Sequence, residues 1–296
     1  HLSGRAAMSG AAVSQRLPVL ALLGASMIWG LTWLPLKLFE AGGLGGAALL
    51  LVAHGTVALV ALPLLARRCR ALLPEWRTLA GVFCLGGFAT IAFSSSLMYG
   101  DVVRAMSLFY TMPLWAILGG LLFLGERLTR RRALAALCAI TGAWLILGGT
   151  RILENPPGWI DLLAAASGFA YAMNNVVFRA TPALAVAPKI LMMYLGVAVF
   201  CALLLLSGVQ QWPVEPPPAS LLALACAFGA CWLLAGNIGT QWGVTHMEAG
   251  RAAMIVVLDL LIAVVSALWL EGGSLSAGEW CGAALLISAA LLEARG

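Results

Sequence analysis

Ser167, Tyr171, Asn174 and Asn175 stand at i, i+4, i+7 and i+8 within an apolar run. On a helix that spacing puts them along one face. Asn237 and Gln241 repeat the i, i+4 step, as do the indoles Trp29 and Trp33. A run of Ser94, Ser95 and Ser96 precedes Tyr99. Tyr110 lies one turn before Pro113, whose ring can kink a helix and free a backbone carbonyl. These are neutral hydrogen-bonding groups and aromatic walls. They suit an amphipathic zwitterion, with amides and backbone groups holding its ends and rings packing its side chain. Trp29, Trp33, Tyr99, Tyr110, Tyr171, Asn174, Asn237 and Gln241 are therefore the candidate substrate-binding residues. Packing is the alternative for each of them. Serines bond their own backbone, amides join neighbouring helices, and indoles fill cores or face lipid. His54, alone in its run, reads as a packing residue.

Asp259 is the acidic residue placed near the middle of an apolar run. An ionised carboxylate in lipid is costly, so Asp259 must face the interior, find a partner or take up a proton. It is the candidate for proton coupling or for meeting a substrate ammonium. A neutral structural acid is the competing reading.

No HExxH, GxSxG or P-loop pattern occurs, which leaves an enzyme or an ATP-driven pump without a motif. No basic cluster lies inside an apolar run, which argues against phosphate-ester cargo. The seven cysteines form no CxxC pair and read as small core residues rather than as a metal site. No catalytic residue, cofactor or metal is expected. The expected partners are a small-molecule substrate and the lipid bilayer, not nucleic acid, and a monomer is the expected state.

The elements that must carry these residues follow from composition. Of the 296 residues, 62% are hydrophobic and 10% charged, and mean hydropathy is +0.99. A soluble domain carries about 25% charged residues, so lipid is the solvent here. Ten runs approach the roughly 20 apolar residues a spanning helix needs: 17–39, 43–66, 76–98, 102–124, 133–149, 158–180, 190–207, 220–243, 249–270 and 277–292. The reading is an all-α integral membrane protein of ten transmembrane helices. Residues 1–16 precede them as a cytoplasmic tail. With the N-terminus inside, fourteen of the Lys and Arg residues fall on the cytoplasmic side, and only Lys37, Arg104 and Arg151 fall outside. The positive-inside rule then puts both termini in the cytoplasm. Trp76, Trp159, Trp212 and Trp280 sit at run ends as interfacial anchors.

The two halves share an order of features. Arg104-Ala105 opens the fourth run, and Phe123-Leu124, Glu126, Leu128 and Thr129 close it. Arg251-Ala252 opens the ninth, closed by Trp269-Leu270, Glu271, Leu275 and Ser276, about 146 residues later. A five-helix repeat is odd-numbered, so its copies, 17–149 and 158–292, must be inverted. Transporters built this way bind cargo near the midplane between the halves.

Pro113, the run Phe123-Leu124-Gly125-Glu126-Arg127-Leu128-Thr129 and Gly142-Ala143 together resemble the EamA-type drug/metabolite transporter superfamily. Trp29-Gly30 fits that pattern too. In the second half the glutamate is displaced, and Asp259 stands near the place of Pro113. The resemblance covers residues 17–292 and is similar overall to YddG-type amino-acid exporters. It implies ten helices in two inverted repeats in a bacterial inner membrane, exporting aromatic and other amphipathic amino acids by alternating access. Multidrug or other metabolite transport on the same fold, an intramembrane enzyme, and a receptor or scaffold remain alternatives.

Overall fold

A computed structural model describes residues 2–100, 102–148, 156–271 and 276–294. Arg151, Asn155, the Gly272-Gly273 link and Leu275, with the side chains of Arg5, Arg104, Glu271 and Arg295, lie outside the described residues. Among those described there is no strand. The chain is α1 (Leu2–Leu31), α2 (Trp33–Ala41), α3 (Gly46–Leu72), α4 (Trp76–Tyr99), α5 (Val102–Phe109), α6 (Met112–Leu124) and α7 (Arg130–Ile146). The second half is α8 (Trp159–Ala180), α9 (Val186–Leu206), α10 (Ala219–Ala227), α11 (Leu234–His246), α12 (Ala249–Val256), α13 (Leu258–Glu271) and α14 (Ala277–Ala294).

Six stretches are long and apolar enough to cross a membrane: Arg16–Ala41, Gly46–Tyr99, Ala105–Leu124, Val186–Leu206, Ala219–His246 and Ala249–Leu270. The number is below ten for physical reasons. Gly46–Tyr99 joins two apolar runs through a single 3₁₀ turn, Leu73–Glu75. The 17-residue α7 and the Ala277–Leu292 part of α14 are short, and α8 is diluted by polar residues. Helix α1 also begins at Leu2, well ahead of the apolar run.

The surface is turned inside out relative to a water-soluble fold. Val60, Leu122, Leu162 and Trp269 are all more than two-thirds exposed, whereas Ser26, His54, Ser96, Ser167, Asn174, Asn175 and Gln241 are buried. An apolar exterior around a polar interior is stable only in lipid. The protein is thus a multi-pass membrane protein. The tryptophans expected as anchors, Trp76, Trp159, Trp212 and Trp280, are exposed.

Several helices are interrupted, and each interruption has a cause. Pro35 cannot donate to Leu31, where α1 stops, and Pro113 cannot donate to Phe109, where α5 stops. No proline separates α12 from α13. There the Asp259 carboxylate accepts from the Leu260 N–H at 2.7 Å, drawing it toward a side chain. A π-turn, Phe228–Leu233, links α10 to α11.

Glycines set how closely the helices meet. A Cβ at Gly142 would lie 2.8 Å from the Gly282 carbonyl oxygen, and one at Gly282 would lie 2.7 Å from that of Gly142, so α7 and α14 touch backbone to backbone. Gly30 of α1 leaves 2.6 Å to the Asp259 carbonyl, and Gly168 of α8 leaves 2.5 Å to that of Phe109. Each of these two glycines therefore packs a helix against an interrupted one from the other half. Elsewhere α4 packs on α8 and α9, α3 on α9, and α1 on α11 and α13.

Candidate functional site

The helix interruptions converge on an interior seam. The Tyr110 hydroxyl, at the α5/α6 break, donates to Asp259 Oδ1 at 3.0 Å, across the α12/α13 break. Both bonds to Asp259 fall on Oδ1. Tyr171 on α8 is half-buried and interacts electrostatically with Asp259 and with the Asn175 side chain. Gln241 Nε2 on α11 donates to Asn175 Oδ1 at 3.3 Å. A polar chain thus runs from α11 through α8 to α5 and α13, joining both halves of the sequence.

Aromatic rings flank it. Phe109 lies 5.4 Å from Tyr110, 5.6 Å from Tyr171 and 4.4 Å from Phe93, centroid to centroid. Trp29 Nε1 donates to Thr240 Oγ1 at 3.0 Å and Trp33 Nε1 to Ser266 Oγ at 2.9 Å. Ser266 stands two turns beyond Asp259 on the same face of α13. Trp232, in the π-turn, donates to Thr32 Oγ1 at the α1/α2 break, at 2.9 Å. The indole rings are therefore fixed by their N–H groups, and Lys37 Nζ lies 5.8 Å from the centroid of the Trp33 ring.

Not every sequence candidate joins the seam. Asn237 on α11 donates to the Tyr194 hydroxyl at 3.2 Å, and the Tyr194 ring lies 4.7 Å from that of His54. This is a second, adjoining cluster. Asn174 points to α4 and α9 instead: its Nδ2 meets Met193 Sδ at 3.9 Å, and its Oδ1 would crowd a Cβ at Gly86. Tyr99 stands apart and exposed, donating to the Val209 carbonyl. The residues missed from sequence are Asn175 as the central amide, Phe93, Phe109, Tyr194 and Thr240. Only Asn175 and Phe109 carried a signal, as members of a polar stripe and of the turn that Pro113 breaks.

A charged cluster closes the opposite end of α6. Glu126 follows the left-handed Gly125 that terminates α6. Its Oε1 accepts from the Ala249 N–H at the start of α12, at 3.0 Å. Arg132 lies 3.8 Å from Glu126 Oε2, donates to the Arg127 carbonyl at 2.8 Å and pairs with Glu248. Arg179, ending α8, reaches Glu126 at 4.0 Å and donates to the Thr245 carbonyl at 3.0 Å. Burial pushes the Glu126 carboxyl above the usual glutamate value, while the Ala249 N–H and the two guanidiniums pull the other way. The cluster ties the first half to the second. The sequence flags only Glu126, through its motif, because Glu248 lies 116 residues from Arg132.

Two open grooves lie elsewhere, on the apolar exterior. One lies between α3, α4 and α9 around Leu65, Trp76 and Phe83, the other between α2, α10 and α11 around Phe39 and Leu224. Neither contains a residue of the polar chain.

Residues 16–148 match the EamA-like transporter family. A riboflavin transporter of Rhizobium johnstonii is 30% identical over 258 residues, spanning 82% of this chain and 78% of that protein. The chain is also similar to a solved crystal structure, with a TM-score of 0.72 and 19% identity over 93% of this chain and 97% of the other, a likeness of fold alone.

Proposed function

Because the chain belongs to the EamA-like transporter family, we propose that it is a secondary transporter exporting amphipathic amino acids, aromatic ones included, by alternating access. The observation that carries this reading is the polar chain from Gln241 to Asp259, enclosed in a lipid-facing bundle and joining both halves. Cargo is held there among Trp29, Trp33, Tyr110, Tyr171 and Gln241, with Asn174, Asn237 and Tyr99 outside the contact set. The chain crosses a bacterial inner membrane ten times, as inverted repeats 17–149 and 158–292, with both termini cytoplasmic. Two pairings support the repeat: Gly30 against Asp259 mirrors Gly168 against Phe109, and Gly142 meets Gly282. In this orientation the Glu126 cluster lies at the cytoplasmic end, where it ties the halves together. Alternating access breaks those ties whenever the site opens to the cytoplasm.

Asp259 is the coupling residue, exchanging a proton during the cycle next to Tyr110 and Tyr171. Proteoliposomes loaded with labelled phenylalanine test the reading. Saturable flux is expected, reduced in Tyr171→Ala without loss of monodisperse protein. Chemical conversion of the solute, or no flux, refutes it. Cysteines at Arg131 and Asn155 are expected to label from opposite sides of the membrane, and labelling from one side refutes the ten-span topology. A second reading, flavin transport, is favoured by the 30% identical riboflavin transporter. Saturable flux of riboflavin in place of phenylalanine supports it.

A further inference from the structure

We propose that the cargo is recognised by a primary ammonium group at Asp259, and that a carboxylate on the cargo contributes little to binding. The inference rests on the transporter reading and deepens it by naming the chemical group recognised.

The argument is an inventory of donors and acceptors along the seam. Most of its side-chain donors are committed. Tyr110 donates to Asp259. The indoles of Trp29, Trp33 and Trp232 donate to Thr240, Ser266 and Thr32. Gln241 Nε2 donates to Asn175, and Asn237 Nδ2 to Tyr194 and the Leu233 carbonyl. Two acceptors also remain. Gln241 Oε1 is buried with no partner. Asp259 receives both of its hydrogen bonds on Oδ1, which leaves Oδ2 open on a half-buried side chain.

Charge points the same way. Among the described residues no Lys, Arg or His pairs with Asp259. Lys189, Arg179 and His54 are held elsewhere. Lys189 Nζ donates to the carbonyls of Phe178 and Thr181, and Arg179 is bound to Thr245 and Glu126. His54 sits against Tyr194, with its ring nitrogen on the Leu50 carbonyl. A half-buried carboxylate supplied with one hydroxyl and one N–H lacks a counter-charge. An ammonium brings three donors, one positive charge and no acceptor, so it meets both deficits at once. The rings of Phe109 and Tyr171 pack against each other in the same seam, and aromatic rings attract ammonium groups. In the chain from Gln241 to Asp259 a carboxylate on the same cargo finds no fixed cation, and only the neutral Tyr171 hydroxyl and Asn175 Nδ2 as donors.

The test is equilibrium binding to the purified full-length protein at pH 7 with three ligands that share a phenyl ring and chain length: 2-phenylethylamine, phenylalanine and 3-phenylpropionate. The amine and the amino acid are expected to bind within about threefold of each other, and the propionate at least about tenfold more weakly, the scale of one hydrogen bond to a charged group. In Asp259→Asn the amine is expected to fall to the level of the propionate. Equal binding of propionate and amine by the wild-type protein overturns the inference, as does an unchanged amine affinity in folded Asp259→Asn. If that variant does not fold, the three-ligand ranking on the wild type decides alone. Binding of none of the three also overturns the inference. The transporter reading then stands or falls separately, on saturable proteoliposome flux of a neutral solute such as riboflavin.

Discussion

Glu126 and Asp259 are both partly withdrawn from water, and they are treated in opposite ways. Glu126 is surrounded by Arg132, Arg179 and the first N–H of α12, contributed by both halves of the chain. Asp259 has one tyrosine hydroxyl, one backbone N–H and no cation among the described residues. At the first site the protein supplies the compensating charge itself, so removing a partner damages the fold. At the second the compensation is incomplete, and in the proposed function a mobile species, proton or cargo, completes it. A buried acid ringed by fixed cations is architectural, and one without a cation is available for work.

The largest expected effect breaks the first member of that pair. Arg132→Gln leaves Glu126 and Glu248 without their shared guanidinium, and Arg132 and Glu126 side chains are each only 8% exposed. Removing one partner of a buried pair costs about 3–5 kcal/mol. The purified variant is expected to unfold at a clearly lower midpoint in a thermal or denaturant titration, and a midpoint matching wild type means that the cluster is ornamental. Asp259→Asn is expected to do the reverse. Its stability should stay within about 1 kcal/mol of wild type, the scale of a single neutral hydrogen bond. Its flux in proteoliposomes should lose dependence on an imposed pH gradient, and a retained wild-type pH response moves coupling to another residue. The smallest effect is a titration. The Glu126 carboxyl is raised above its ordinary 4.5 by burial, so the folded state binds that proton more tightly than the unfolded chain does. Stability contributed by this group is fully present below 4.5 and is lost as pH rises through the raised value. Glu126→Gln should flatten that slope in unfolding midpoints measured against pH, and an unchanged slope assigns it to another group.

The sequence discloses these regions unevenly. Lipid as solvent, the helical stripes and the standing of Asp259 are all legible, because composition, periodicity and one acid in an apolar run are local properties. The α5/α6 break is foreshadowed by Pro113, whereas the α12/α13 break has no proline and shows only in the bond from Leu260 N–H to the Asp259 side chain. Asn174 and Asn175 show the limit most clearly. They are neighbours on one stripe, and spacing cannot say how a helix is rotated. The rotation puts Asn175 between Tyr171 and Gln241 and turns Asn174 toward Gly86 and Met193. Tyr99 belongs to the same lesson, since an aromatic at a helix end can lie at the rim as easily as in the interior. Arg132 reads as one of three adjacent cytoplasmic arginines, and only tertiary packing distinguishes it from Arg130 and Arg131.

The π-turn between α10 and α11 bears on how this helix tolerates changes in length. One wide turn at Phe228–Leu233 accommodates an extra residue that a plain α-helix would have to absorb by rotating everything after it by about 100°. The surplus is confined to that turn, where Gly229 lets the bulged backbone lie against Ala53. Asn237 and Gln241 therefore keep a phase independent of α10. A one-residue deletion inside the wide turn would restore a regular helix and leave both amides aimed as they are. The same deletion a turn later, within α11, would swing the amides beyond it away from Tyr194 and Asn175. Along this helix, the position of an insertion or deletion matters more than its size.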